Sequence, residues 1–207
     1  MGQVVVDWLG QLDSLKRYNG GQKLLKKVGF VVFGLELEKY LSDTYRPRIV
    51  LYSLLDSSNN TLIPVVDQTL KNHKGLDVTI RYSQHSDLYL GACKGLHQQS
   101  NLSFSETQST QEIIEAILIY IDLNLLGSPY FSCLAVMQLS RTLDDQSLKE
   151  KYFNQALEKL KRVPEDIIEI QTNGLNHFIE RIRNQSKDEL VAEVTKCVEK
   201  YKLTSIL

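Results

Sequence analysis

The segment Thr110–Leu126, which reads TQEIIEAILIYIDLNLL, constrains the fold more than any other part of the sequence. Ser109 and Glu112 have the spacing of a capping box, which predicts that a helix begins here. Gly127, where a helix can end in the left-handed conformation, and Pro129 shortly beyond it predict the end of this helix. Apolar side chains surround most of this helix, but its unbroken apolar run is much shorter than the roughly 20 residues that span a bilayer. The segment therefore predicts a helix buried in a protein core.

Composition narrows the class of protein without identifying it. The chain has 207 residues, enough for one large domain or two small ones, and its hydrophobic fraction of 43% is ordinary for a globular protein. A formal net charge of −1 gives no global field that attracts nucleic acid or an anionic membrane, so we expect neither as a partner. The isolated cysteines Cys93, Cys133 and Cys197 form no C-x-x-C pair and are typical of reduced thiols, which favours a cytoplasmic location.

The C-terminal half is predicted to be helical throughout. Further helices are expected over Ser128–Leu143, Asp144–Arg162 and Pro164–Asn184, with Asn173 and Gly174 as a break in the last of them. Ser186 and Glu189 form a second capping box, and the amphipathic segment that follows carries its apolar side chains at helical spacing.

The N-terminal half shows compact apolar runs separated by helix-like segments. Strands are predicted at Val28–Leu35, Arg48–Leu55 and Leu76–Ser83, because continuous apolar runs are typical of strands buried on both faces. Helices are predicted at Asp7–Tyr18, Gln22–Lys27, Glu36–Tyr45, Thr61–His73 and Asp87–Leu96. This alternation indicates an α/β fold, in which a small three-stranded parallel, Rossmann-like sheet is followed by a helical bundle. The halves comprise residues 1–105 and 106–207, either as two domains or as one continuous domain.

If the sheet is parallel, the loops that follow its strands should converge at one edge, where such sheets bind ligands. Polar residues in these loops are the candidate ligand-binding set: Glu36, Asp56, Ser57, Ser58, Asn59 and His85. The serines and the helix start behind them could hold an anion or a phosphate. Alternatively, these residues are simply the types that turns and helix caps contain.

A catalytic site at the same edge is the second possibility. His85, Asp56 and either Ser57 or Ser83 could supply a base, an orienting acid and a nucleophile. Common catalytic and nucleotide-binding motifs are absent, however, including the P-loop, the G-x-G-x-x-G turn and the G-x-S-x-G elbow. The four histidines have no metal-binding spacing, so neither a metal site nor a cofactor is predicted.

Two functional hypotheses follow, and no family is identified from the motifs. The first is a non-enzymatic interaction or regulatory module, whose helical half forms a homo-oligomer or partner interface and whose strand-end crevice takes a small ligand. The alternative is a sensor of a nucleotide or phosphorylated metabolite, or a small hydrolase, acting at that crevice. Fold class alone does not choose between them.

Overall fold

The computed structural model of the chain describes residues 1–123, 129–172 and 174–207. These residues form two units. The sheet unit consists of Met1–Tyr52, Val66–Gln108 and Lys202–Leu207, and the helical unit consists of Ser53–Val65 and Ser109–Tyr201. The predicted end of the Thr110 helix at Gly127 and the predicted break at Asn173 lie outside the described residues.

The first part of the chain contains two helices and six strands. In chain order they are α1 (Gly2–Gln11), β1 (Lys16–Arg17), β2 (Lys23–Val28), β3 (Val31–Leu41), β4 (Thr44–Ser53), β5 (Pro64–Thr69), β6 (Ile80–Arg81), a short 3-10 helix (Tyr82–Gln84) and α2 (His85–Gln99). The six strands make one sheet in the order β1-β2-β3-β4-β5, with β6 pairing antiparallel to the first residues of β4.

The strands are antiparallel, so the predicted parallel Rossmann-like sheet is wrong. Two-residue connections explain the topology: Gly29 and Phe30 join β2 to β3, and Ser42 and Asp43 join β3 to β4. A connection this short can join only antiparallel neighbours, because a parallel pair needs a crossover of a dozen or more residues. Gly29 has a φ of +55°, a conformation that tight hairpin turns require and that glycine adopts without steric cost.

Three segments predicted as crossover helices belong instead to the sheet. Gln22–Lys27 largely coincides with β2, Glu36–Tyr45 is divided between β3 and β4, and Thr61–His73 contains β5. Of the predicted strands, Val28–Leu35 includes a turn as well as part of β3, and Leu76–Ser83 has only two residues in a strand. Helix α2 confirms the helix predicted at Asp87–Leu96.

The sheet residues alternate between an apolar face and a partly charged face. Leu35 and Leu37 are fully buried, whereas Glu36 and Glu38, which point to the opposite face, are half-buried. On that face the Arg48 Nη1 atom donates a hydrogen bond to Glu38 Oε1 at 2.8 Å, and the Arg48 guanidinium also pairs with the Asp67 carboxylate. Cross-strand ion pairs therefore accompany the charged face, and the apolar face forms the core of the sheet unit.

The helical unit contains α3 (Thr110–Leu123), α4 (Tyr130–Thr142), α5 (Gln146–Leu160), α6 (Glu165–Thr172), α7 (Leu175–Asn184) and α8 (Lys187–Lys200). The predicted capping boxes at Ser109 and Ser186 are confirmed, with the Ser186 backbone N–H donating to Glu189 Oε2 at 2.8 Å. Buried Ile113, Ile114 and Ile117 confirm that α3 belongs to a core.

Helix α4 is the most deeply buried element of the helical unit. Almost every residue of it is buried, from Tyr130 to Thr142, and it contacts α3, α5, α7 and α8. Cys133 on α4 and Cys197 on α8 are buried free thiols, as their apolar helix faces predict. No helix among the described residues is long and apolar enough to cross a membrane.

Candidate functional site

A cavity of about 830 Å³ lies within the helical unit. It is lined by the loop from Leu55 to Asn59 and by side chains of α4, α7 and α8. Its volume falls within the range of about 300–1,000 Å³ that is typical of small-molecule sites. The cavity is therefore large enough for a ligand rather than for a few waters.

Hydrogen bonds to α4 and α8 position the loop. Gln138 Nε2 on α4 donates to the Leu55 carbonyl at 2.9 Å, and Ser57 Oγ donates to Glu193 Oε2 on α8 at 2.7 Å. At the end of α8, Lys200 Nζ donates to the Ser57 carbonyl and the Tyr201 hydroxyl donates to the Asn59 carbonyl, both at 2.7 Å. These contacts at successive loop residues fix the backbone of the loop on the helices.

Asp56 shapes the loop from within. Its Oδ1 atom accepts a hydrogen bond from the Ser58 backbone N–H at 2.9 Å, which is the turn that aspartate side chains form with their own backbone. The Asn59 Nδ2 atom donates to the other carboxylate oxygen at 3.4 Å. Asp56, Ser58 and Asn59 consequently lie at the cavity wall in a defined arrangement.

Aromatic rings form the apolar part of the wall. The rings of Tyr130 and Phe178 are stacked with centroids 6.3 Å apart, and Phe131 meets Tyr130 edge to face at 5.1 Å. Burial, with the Asp56 carboxylate nearby, raises the pKa of Tyr130 to about 12, while Arg181 acts in the opposite direction. The Tyr130 phenol is therefore neutral and available as a hydrogen-bonding group near neutral pH.

The charged groups at the wall differ in how well they are compensated. Lys196 Nζ pairs with Glu193 Oε1 at 2.5 Å. Burial raises the pKa of the Glu193 carboxyl, but hydrogen bonds from Lys196 and Ser57 outweigh it, so the pKa lies below its ordinary value. Arg181 and Asp56 make no ion pair with any described residue; the Arg181 guanidinium lies 5.4 Å from the centroid of the Phe178 ring. The cavity thus presents one compensated pair and three charged groups without an ion pair among the described residues: Asp56, Arg181 and Glu189, whose carboxylate accepts hydrogen bonds from Ser186 in the capping box.

Two amide oxygens at the wall are also without partners. Oε1 of Gln138 and Oε1 of Gln185 are buried and accept no hydrogen bond from the described residues. Both side chains line the cavity, and Gln138 is only 5% exposed. A buried carboxamide oxygen without a donor costs stability, so each such group calls for a partner.

The structure separates the ligand-binding residues predicted from the sequence into two groups. Asp56, Ser58 and Asn59 line the cavity, and Ser57 stands beside them in the same loop. Glu36 lies within β3 of the sheet unit, where its carboxylate is 3.7 Å from Lys23 Nζ. Whether any of these residues binds a ligand stays a prediction, but their expected convergence at the ends of parallel strands does not occur, because the strands are antiparallel.

His85 belongs to the sheet unit and takes part in a buried hydrogen-bond chain. Trp8 Nε1 donates to the Tyr45 hydroxyl at 3.2 Å, the Tyr45 hydroxyl contacts His85 Nδ1 at 2.8 Å, and His85 Nε2 contacts Asp7 Oδ2 at 3.0 Å. Trp8 can only donate and the Asp7 carboxylate can only accept, so the His85 Nε2 atom carries the hydrogen in its contact with Asp7, and the Tyr45 hydroxyl can donate to Nδ1 when that atom carries none.

The hydroxyl of Tyr45, the imidazole of His85 and the carboxylate of Asp7 follow one another in the order of a catalytic triad, but the hydroxyl is not accessible to a substrate. Tyr45 is fully buried, and burial raises the pKa of its hydroxyl to about 12. Ser83, the other predicted nucleophile, is an exposed residue of the short 3-10 helix, and Ser57 belongs to the helical unit. His85 therefore links Asp7 of α1 to Tyr45 of β4, and its catalytic role stays a prediction.

No pattern in the sequence identifies the aromatic and basic residues of the cavity. The helices that carry Tyr130, Phe178 and Arg181 have apolar faces that are equally typical of helices packed in a core. Gln138 is a polar residue in an apolar stretch. Their approach to the Asp56 loop depends on how α4, α7 and α8 pack, which periodicity does not specify.

The residue types at the cavity wall limit the reactions that its described side chains could carry out. Its described lining contains no histidine or cysteine, and Ser57 Oγ donates to a carboxylate already paired with lysine. No group of three or more metal-ligating side chains occurs among the described residues. Comparisons with models of protein families, with curated proteins and with solved structures gave no match.

Proposed function

We propose that the chain is a non-enzymatic binding module whose helical unit takes a small ligand in the cavity behind the Asp56 loop. The observation that carries this proposal is the cavity of about 830 Å³, in which aromatic rings, unpaired opposite charges and unpartnered amide oxygens meet. A mostly preformed concave site with a few converging polar groups is typical of ligand binding. Catalysis is not proposed, because no nucleophile and base are brought together at this wall.

The proposed ligand site is the cavity of the helical unit and not the crevice that the strand ends of a parallel sheet would have formed. A crevice at the carboxyl ends of parallel strands needs crossover connections, and the hairpins between β2, β3 and β4 exclude them. The polar loop Asp56–Asn60 retains its proposed role, but its partners are helices α4 and α8 rather than other strand ends.

A thermal-shift screen tests the proposal with a variant that blocks the cavity. Ala192 on α8 lines the cavity and is exposed, so Ala192→Trp should fill space there without disturbing the core. Thr195→Trp places the same ring on an exposed position of α8 outside the lining and is the matched control. A ligand at 100 times its dissociation constant adds about 2.7 kcal/mol of stability, which such a screen detects readily.

We expect amino acids, peptides, nucleotides or phosphorylated metabolites to include a ligand that stabilises the wild type and Thr195→Trp but not Ala192→Trp. If every stabilising ligand still acts on Ala192→Trp, or if no ligand stabilises the wild type, the binding-module proposal is wrong.

We also infer from the amphipathic pattern of α8 that this helix contributes to a homo-oligomer or to a protein partner. Val191 is 48% exposed, and Val194 and Val198 are half-buried at the same helical spacing. Val191→Asp should reduce self-association or partner capture, as followed by light scattering and pull-down, whereas Asn154→Asp, at an exposed position of α5, should not. Equal behaviour of the two variants would remove this part of the proposal.

A further inference from the structure

We propose that the ligand of the cavity is a small zwitterion, a molecule with an ammonium group and a carboxylate, of the free amino acid or short peptide class. The inference rests on the proposed function, because it assigns a ligand chemistry to the same cavity. Its ammonium group is bound at Asp56, its carboxylate at Arg181, and its body lies against the aromatic wall.

The two separate charges of the cavity are the first support. Asp56 keeps its carboxylate among neutral donors, the Ser58 N–H and the Asn59 amide, and Arg181 keeps its guanidinium beside the Phe178 ring. Within the described residues neither group has an oppositely charged partner, in contrast to Glu193 and Lys196. Arg181 is exposed and Asp56 is half-buried, so a ligand in the cavity displaces water from both groups. A ligand that carries both signs compensates both charges, whereas a ligand with a single charge compensates only one.

The positions of the two charges give the second support. Asp56 and Arg181 both line the cavity, and both lie near enough to the Tyr130 hydroxyl to act on its pKa, the carboxylate raising it and the guanidinium lowering it because their charges are opposite. No salt bridge joins the two groups, so each charge is open to one end of a ligand. Arginine binds a carboxylate through two parallel hydrogen bonds, and a carboxylate attracts an ammonium group as a charge-assisted acceptor.

The unpartnered amide oxygens of Gln138 and Gln185 favour a ligand that carries hydrogen-bond donors. Gln138 is 5% exposed, its Nε2 atom is used by the Leu55 carbonyl, and its Oε1 atom has no partner among the described residues. Gln185 Oε1, at the same cavity, is likewise without a donor. An ammonium group, a peptide N–H or a water held by either can supply the missing hydrogen bonds, whereas a phosphate can only accept.

The aromatic wall and the volume define the body of the ligand. Tyr130, Phe131 and Phe178 offer ring faces and edges to an apolar side chain, and ring faces also attract an ammonium group. A cavity of about 830 Å³ exceeds what a single small amino acid fills. A dipeptide or tripeptide with an aromatic side chain therefore fits better than glycine or alanine.

Titration calorimetry with a panel of free amino acids and dipeptides tests this inference. Phe-Phe is the lead probe, compared with its N-acetyl form, which lacks the ammonium group, and its C-terminal amide, which lacks the carboxylate. We expect each blocked form to bind about tenfold or more weakly than Phe-Phe, since each loses a charge-assisted contact.

Two variants test which residue binds the carboxylate of the ligand and which binds its ammonium group. Arg181→Gln should weaken Phe-Phe about tenfold but leave the amide form unchanged, and Asp56→Asn should weaken Phe-Phe similarly but leave the N-acetyl form unchanged. Asp56→Asn keeps an acceptor oxygen for Ser58, so the loop should fold normally. Arg183→Gln on the same helix is the control, because Arg183 packs on Phe153 and does not line the cavity.

The outcomes separate this inference from the proposed function. Equal affinity of Phe-Phe and its blocked forms, or no binding by any amino acid or dipeptide, overturns the zwitterion. If another class of ligand then stabilises the wild type but not Ala192→Trp, the binding module stands and only the ligand class is wrong. If no class does so, both proposals fail.

Discussion

Tyr45 illustrates how one hydroxyl can determine the roles of three other side chains. It accepts from Trp8 Nε1 and contacts His85 Nδ1, and this leaves His85 Nε2 to donate to the Asp7 carboxylate. Both Trp8 and Tyr45 are fully buried, so water does not replace a lost partner easily. The hydrogen-bond chain therefore stabilises the sheet unit only while each of its four side chains is present.

Tyr45→Phe should lower the free energy of unfolding by about 1–3 kcal/mol, because the Trp8 donor and the His85 acceptor both lose their partner. Urea denaturation measures this change. Tyr40→Phe removes the same oxygen from an exposed tyrosine and should have almost no effect. Comparable stability of the two variants would show that the chain contributes nothing to folding.

Gly34 occupies a position in β3 where the neighbouring strand leaves no space. A Cβ atom at residue 34 would lie 2.0 Å from the Leu24 carbonyl oxygen and 3.0 Å from Leu25 Cα. Both neighbours are backbone atoms of β2 and cannot move aside without disturbing the hairpin. The glycine is therefore required by close approach of the two strands.

Gly34→Ala should cost roughly 1–3 kcal/mol or more of stability, since the strands must separate to admit the methyl group. Gly91→Ala in α2 is the contrasting variant, because nothing lies within 4 Å of the added Cβ. Alanine there should stabilise the helix by about 0.5–1 kcal/mol. Chemical denaturation of both variants tests the pair, and a neutral Gly34→Ala would contradict the tight strand contact.

Sequence reasoning at the residue scale succeeded where a side chain acts on its neighbours in the chain. The capping boxes of Ser109 and Ser186 are local patterns and are confirmed. It could not foresee contacts between distant residues. Arg181 and Asp56 lie far apart in sequence and line one cavity only because helices bring them there.

A hydrogen bond between α3 and α5 makes the stability of the helical unit depend on pH. Tyr152 on α5 donates to Glu115 Oε1 on α3 at 2.6 Å. Hydrogen bonds from Tyr152 and Gln111 lower the pKa of the Glu115 carboxyl below its usual 4.5. A carboxyl with a lowered pKa stabilises the fold above its unfolded pKa, and this stability is lost as the pH falls through the folded pKa.

Glu115→Gln should therefore destabilise the protein most near neutral pH, and the difference from the wild type should shrink as the pH falls below 4.5 and through the lowered pKa of Glu115. Urea titrations across this range measure the difference. Glu199→Gln, an exposed substitution on α8, controls for the loss of one surface charge. A difference that grows on acidification has the wrong sign and would contradict the assigned pairing.

At the scale of elements, helices with caps and long apolar stripes were predictable. The predicted strands Val28–Leu35 and Arg48–Leu55 overlap β3 and β4, whereas β2 was predicted as a helix. Helix α8 has a complete capping box and an amphipathic pattern, so its local and tertiary preferences agree. Lys23–Val28, in contrast, reads KLLKKV and has neither strict alternation nor a continuous apolar run. Its strand conformation comes from pairing with β3, which overrides its local preference.

The order of elements along the chain was also misleading at the scale of the whole molecule. The continuous apolar run Val28–Leu35 predicts a strand of a parallel sheet, but an antiparallel strand buried on both faces has the same pattern, and Val31–Leu35 in β3 is such a strand. The decisive clue was the two-residue turn Gly29-Phe30 inside the predicted strand. It shortens the strand and reverses the chain, which changes the topology of the whole sheet.

The two units also combine segments that are distant in sequence. Ser53–Val65, a connection between strands, belongs to the helical unit, and Lys202–Leu207 belongs to the sheet unit. Leu203 and Ile206 in this last segment are buried. The proposed ligand site consequently combines a loop that precedes α2 in the sequence with helices that follow α2. A division of the chain into two consecutive halves therefore does not locate it.

Hydrogen exchange of the protein with and without a stabilising ligand tests the central claim, ligand binding in the cavity of the helical unit. We predict that the ligand slows exchange in the loop Leu55–Asn59 and in α7 and α8, and that Ala192→Trp abolishes the effect. Exchange around His85 and Tyr45 should stay unchanged. Slower exchange confined to the sheet unit, or an undiminished effect in Ala192→Trp, would contradict the account.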